Sequence, residues 1–172
     1  MIILRRIDER DAQTFCDLFS CSQVQEYLFD DIPMPYTIKR ALSFIDQVMA
    51  EFPLSCAIQV DDCFAGMIML GEKQAIYCAN LELSYWLGAP FWNRGIMTEA
   101  IRQMLNVAFA QAGIHRVYAQ LVSCNEASKR VLRNNGFLKE AIMADAGLKH
   151  GRPIDMELYA ITKTNYKAQI GD

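Results

Sequence analysis

Apolar residues recur along this chain in two periods. Ile2 to Ile7 reads as a strand, and Asp8 to Phe19 then carries Ala12, Phe15, Cys16, Leu18 and Phe19 at helical spacing behind acidic residues. Glu26 to Asp31 runs into Pro33 and Pro35, which predicts a loop or short helix stopped by prolines. A helix is expected after Thr37, with Ala41, Leu42, Ile45, Val48 and Met49 on one side, ending at Phe52-Pro53. Ser55 to Val60 and Phe64 to Leu70 form a predicted hairpin around Asp61-Asp62, and Asn80 to Leu87 is a third strand of that stretch. A long helix from about Met97 to Ala112 places Ile101, Met104, Leu105, Ala108 and Ala112 on one face, with Gly113 as its stop. Val117 to Val122, a helix from about Asn125 to Asn134, and strands near Phe137 to Met143 and Asp155 to Thr162 complete the pattern. The order is β-α-α-β-β-β-α-β-α-β-β, a mixed α/β (α+β) fold of about seven strands and four helices. No linker or repeat interrupts it, so residues 1–165 are expected to be a single domain and 166–172 a flexible tail.

The 172 residues fit one domain, and 52% hydrophobic content is enough for a core. A net charge of −3, from 17 basic and 20 acidic residues, and the lack of a basic run argue against nucleic acid as a partner. Such a surface suits a cationic partner instead. The six cysteines contain no C-x-x-C pair and the two histidines are far apart, so neither a metal nor a disulfide framework is expected. Charges at Arg5, Arg6, Asp8, Glu9 and Arg10 break the apolar start at once, and no run approaches the ~20 apolar residues of a membrane span. Free thiols in a reducing cytoplasm are the expectation.

The segment Leu87-Gly-Ala-Pro-Phe-Trp-Asn-Arg-Gly-Ile-Met-Thr-Glu-Ala100 carries the most chemistry. A strand ends, a loop containing Gly95 follows, and a helix begins, so unpaired N–H groups and a positive helix end face outward. A pyrophosphate suits that place, because Gly95 has no Cβ to keep it away and Arg94 adds charge. Taken alone, Gly95 fits a turn whose glycine merely satisfies a positive φ better than it fits a phosphate cradle.

The surrounding letters resemble the coenzyme A signature of the GNAT acetyltransferases, most closely the RimJ/RimL-type ribosomal-protein N-terminal acetyltransferases. Trp92 stands where the wider superfamily has Gln or Arg, as is usual in this branch, and Asn93 replaces the commoner glycine. Asn125-Glu-Ala-Ser-Lys-Arg-Val-Leu-Arg-Asn-Asn-Gly-Phe137 resembles the later coenzyme A motif of the family. Asn125 also reads as a helix N-cap, and Asn135-Gly136 as the C-terminal stop.

The resemblance implies acetyl-CoA as co-substrate, held in a cleft between splayed parallel strands by Trp86, Leu87, Asn93, Arg94, Gly95, Ile96, Met97, Thr98, Asn125 and Ser128. Backbone at Trp86 and Leu87 would pair with the pantetheine arm and polarise the thioester carbonyl. Glu82, on the strand entering the loop, is the candidate base, or else a solvent-facing carboxylate. The tyrosine acid of many superfamily members is replaced by Leu132, which leaves Ser128 as substitute acid or as a packing residue. Cys124 lacks a histidine partner for acyl transfer. The expected acceptor is a primary amine, foremost a ribosomal or other protein N-terminus, with Glu26, Asp30 and Asp31 near the acceptor entrance. Small amines (a polyamine, an antibiotic or an amino acid) and a non-catalytic coenzyme A sensor remain alternatives, as do monomer and homodimer.

Overall fold

Seven strands and six helices carry these patterns in a computed structural model that describes residues 1–28, 32 and 34–171. The strands are β1 (Ile2–Arg5), β2 (Ser55–Val60), β3 (Cys63–Glu72), β4 (Asn80–Leu87), β5 (Arg116–Val122), β6 (Leu138–Lys149) and β7 (Arg152–Thr162). The helices are α1 (Ala12–Phe19), α2 (Ser22–Gln25), α3 (Ile38–Glu51), α4 (Ile96–Ala110), α5 (Glu126–Asn134) and α6 (Lys163–Ile170). Hydrogen bonding runs in the order β1-β2-β3-β4-β5-β7-β6, a mixed seven-stranded sheet whose β4–β5 pair is parallel. Tertiary contacts divide the chain into Met1–Met69 with Tyr85–Ile96, and Leu70–Ser84 with Met97–Asp172.

In the first unit β1, β2 and β3 form an antiparallel meander, with a register shift at Ile58/Gln59. The Asp61-Asp62 turn takes left-handed backbone at both residues, as a tight hairpin requires. Asp11 clasps the entry to α1: its carboxylate accepts from the two terminal nitrogens of the Arg5 guanidinium, at 2.6 and 2.8 Å, and from the Asp8 N–H at 3.1 Å. Phe15, Phe19, Ala41, Ile45, Val48, Phe64 and Met67 are buried together, with Trp86 and Trp92 packed against them. Fully burying each such large side chain is worth roughly 1.5–3 kcal/mol.

In the second unit β5 and β7 pair antiparallel from Arg116↔Thr162 to Val122↔Met156. Val117, Ala119 and Leu121 are buried and their neighbours are not, the alternation of a half-covered strand. Ile101, Met104, Leu105 and Ala108 of α4 are buried as their helical spacing predicts. Two differences from the sequence expectation stand out. The closing strands extend much farther, into a hairpin that turns at His150-Gly151, both with positive φ. The residues expected as a loose tail are, up to Ile170, the helix α6, where buried Tyr166 lies 5.1 Å from the Phe109 ring and donates to Asn106 Oδ1.

Candidate active site

The end of β4 and the start of α4 are built by close backbone contact. A Cβ on Gly66 would lie 2.3 Å from the Trp86 carbonyl oxygen, so only glycine lets β3 approach the end of β4 there. The Gly88 N–H donates to the Ala65 carbonyl at 2.8 Å and keeps the chain attached one residue past the strand. A 3-10 turn, Ala89–Phe91, then folds the loop back, and the Trp92 indole N–H donates to the Leu87 carbonyl at 2.7 Å. Any partner at Leu87 would therefore use its N–H or the second lone pair of that carbonyl. The Trp86 side chain belongs to the packing, with its ring 5.0 Å from Phe15 and 4.9 Å from Phe19 at steep angles.

Asn93 and Gly95 both take left-handed backbone, φ 58° and 72°, on either side of Arg94. Asparagine tolerates that conformation better than other side chains, which explains how it can stand in a glycine position. Asn93, Arg94 and Gly95 are exposed, whereas the Ile96 and Met97 side chains that follow are buried and Thr98 is half-buried. The buried pair anchors the first turn of α4, whose leading N–H groups have no partner within the helix. Nothing lies within 4 Å of the position a Gly95 Cβ would take. Open space, backbone donors and a helix N-terminus fit a pyrophosphate. Arg94 lies over the Phe91 ring at 5.9 Å. Glu99, the acidic residue of this turn, accepts from Arg102 and Gln103, and the Arg102 guanidinium first of all holds its carboxyl down at about 2. Its charge is thus already matched.

Glu82 sits where the parallel β4–β5 ladder ends. The rungs are Asn80↔Arg116, Leu81↔Val117 and Glu82↔Tyr118. Leu81 and Leu83 are buried, while Glu82 is half-buried and Ser84 exposed. Oε2 of Glu82 forms an ion pair with Lys73 Nζ and accepts the Tyr118 hydroxyl at 3.4 Å. Lys73 Nζ also lies 5.9 Å over the Tyr118 ring. Hydrogen bonding to Glu82 holds the Lys73 ammonium above the usual lysine value. Sequence reasoning found Glu82 but missed Lys73 and Tyr118. Lys73 carries no local signal, whereas Tyr118 could have been paired with Glu82 by aligning the two strands as parallel neighbours.

Asn125 caps α5: its Oδ1 accepts the Ser128 N–H at 3.0 Å. Ser128 is half-buried one turn into the helix, and Leu132, at the position of the family's tyrosine, is fully buried. The same helix buries Lys129, which pairs with Glu126 at 2.8 Å and with buried Glu157 at 3.0 Å. Cys124 is exposed, and the cysteines are free thiols. Glu26 follows α2, but Asp30 and Asp31 of the expected acidic entrance lie outside the described residues. Among the described residues no group of three or more His, Cys, Asp or Glu could hold a metal, and no helix is long and apolar enough to cross a membrane.

A mixed sheet with one short parallel pair, followed by a glycine-bearing loop at a helix N-terminus, is the frame of an N-acetyltransferase. The chain belongs to the acetyltransferase (GNAT) domain family, whose pattern matches residues 1–138. It is 27% identical over 171 residues to the uncharacterized N-acetyltransferase YoaA of Bacillus subtilis (strain 168), covering 94% of this chain and 93% of that one. Its fold matches RimJ of Mycobacterium smegmatis in complex with a CoA-disulfide, with TM-score 0.85 at 21% identity over 99% of this chain and 89% of that one. It also matches RimL, a ribosomal L7/L12 alpha-N-protein acetyltransferase in complex with coenzyme A, with TM-score 0.81 at 20% identity over 94% and 93% of the two chains. The protein is thus an acetyltransferase.

Proposed function

We propose that this enzyme transfers the acetyl group of acetyl-CoA to the N-terminal α-amine of a peptide or protein in the cytoplasm. The observation that carries the reading is the exposed loop ahead of α4, where Gly95 leaves open space at the helix N-terminus. In this reading Asn93, Arg94, Gly95, Ile96, Met97 and Thr98 hold the pyrophosphate, largely through backbone N–H groups. Backbone at Trp86 and Leu87 orients the pantetheine arm and polarises the thioester carbonyl. Asn125, the cap of α5, and Ser128 are assigned to coenzyme A as well, with Ser128 as proton donor to the departing thiolate, since Leu132 has no proton to give.

Glu82 acts on the acceptor as general base, directly or through water. An α-amine, with a pKa near 7.7–8.0, has a neutral fraction at pH 7 a few hundred times that of a lysine amine near 10.4. A site whose carboxylate is already engaged by Lys73 favours that easier nucleophile. Likeness to RimJ and RimL supports the acceptor class, and free cysteines support a reducing compartment. The test is acetyl-CoA turnover against peptides with different N-termini, polyamines and aminoglycosides. Turnover should be highest with peptides, and turnover confined to a small amine would replace this acceptor.

A further inference from the structure

We propose that Lys73 is a positioning residue of the acceptor site, which works through Glu82 to strip the acceptor ammonium of its proton and so selects amines of low basicity. The inference rests on the reading of Glu82 as the residue that receives the acceptor. Lys73 leaves the chain just after β3, yet its Nζ reaches back to Oε2 of Glu82 on β4. Tyr118 fixes the same oxygen from the facing strand and presents its ring to the ammonium. Arg116 lies over the Tyr118 ring at 6.0 Å, but its charge is matched by a two-pronged pair with Glu140. Among the described residues, the titratable groups bonded to Glu82 are therefore one ammonium and one phenol.

An acceptor ammonium seated at Glu82 becomes a second cation on one carboxylate. Like charges a few ångströms apart disfavour the charged form, so one of the two ammonium groups loses its proton. Lys73 is not that group. Its ordinary value is about 10.4 against about 8 for an α-amine, and Glu82 holds it higher still. Side chains 34% and 30% exposed leave a path for the released proton to solvent water. The neutral nitrogen then forms the C–N bond as the C–S bond of the thioester breaks. Its surplus proton goes to the thiolate or to solvent, giving an amide and free coenzyme A thiol. A lysine or polyamine ammonium would need a far larger depression to follow the same course.

The test uses Lys73→Met, Lys73→Arg and Glu82→Gln in the full chain, with a lysine-free pentapeptide bearing a free α-amine as probe. With peptide saturating, Lys73→Met should move the acidic limb of kcat, which reports the bound complex, up by about 0.5–1 pH unit. That is a loss that reaches about 3–10-fold on the acidic side of the limb and vanishes above it, and Lys73→Arg should keep the wild-type limb. Independently of turnover, calorimetry of peptide binding at pH 7 in buffers of different ionisation enthalpy should show nearly one proton released by the wild type and clearly less by Lys73→Met. A uniform rate loss with an unmoved limb and equal proton release would overturn the role of Lys73 while sparing Glu82. An active Glu82→Gln with a wild-type profile would instead remove the Glu82 reading itself. A peptide that neither binds nor reacts would overturn the acceptor class and this proposal with it.

Discussion

Gly95 offers the cleanest separation of folding from substrate binding. Its φ of 72° lies in the left-handed region, and nothing stands within 4 Å of where a Cβ would go. Gly95→Ala therefore meets no clash in the protein alone and bears only the backbone penalty, about 1–2 kcal/mol for an L-residue. For a domain of this size each kcal/mol lowers Tm by about 2–4 °C, so a fall of about 2–8 °C is expected, with cooperative unfolding retained. With a pyrophosphate against the loop, the same methyl occupies the space that the phosphate needs. Calorimetry should then show acetyl-CoA affinity reduced at least about tenfold, or ~1.4 kcal/mol, and Gly95→Val should abolish binding. A folded Gly95→Ala or Gly95→Val protein with unchanged affinity would refute the cradle.

Gly66→Ala should behave in the opposite way, because its Cβ would meet the Trp86 carbonyl oxygen at 2.3 Å. Thermal melts should show a loss of about 1–3 kcal/mol or more from overpacking, before any ligand is added. Glu82→Gln should lower kcat/KM by about 10²-fold or more if the carboxylate does general-base work; a loss under about threefold with an intact pH profile leaves it a surface residue. The Glu99 carboxyl is held at about 2, below its ordinary 4.5, so its stabilisation is complete above the unfolded value and fades as pH falls from 4.5 toward 2. Glu99→Gln should thus be less stable than wild type at neutral pH, with the gap closing across that window in acid denaturation; a gap independent of pH contradicts the assignment.

Periodicity made much of this fold legible. Where one face is buried, as in β5 and α4, the alternation of Val117, Ala119 and Leu121 or the spacing of Ile101, Leu105 and Ala108 marks the element directly. The β6–β7 hairpin was only half visible. Its outer half carries Asp145, Gly147, His150 and Gly151, and register shifts at Lys139/Ala141 and Met143/Gly147 scramble the period of two. Helix α6 has no apolar stripe, and its buried Tyr166 bonds a side chain 60 positions away. The same limit applies to the site. The loop around Gly95 and the cap at Asn125 are local and could be read from adjacent letters. Of the company of Glu82, Lys73 could not, because it comes from a loop after another strand, whereas Tyr118, 36 residues away, becomes legible only once β4 and β5 are aligned as parallel neighbours.

The central claim is that an α-amine receives the acetyl group. The direct measurement is mass spectrometry of peptides that carry both a free N-terminus and an internal lysine, incubated with the enzyme and acetyl-CoA near pH 7. A mass increase of one acetyl group located at the N-terminus, with the lysine unmodified, is the predicted result. Acetylation found only on the lysine, or only on small amines assayed in parallel, would contradict the claim about the acceptor, while the chain would remain an acetyltransferase.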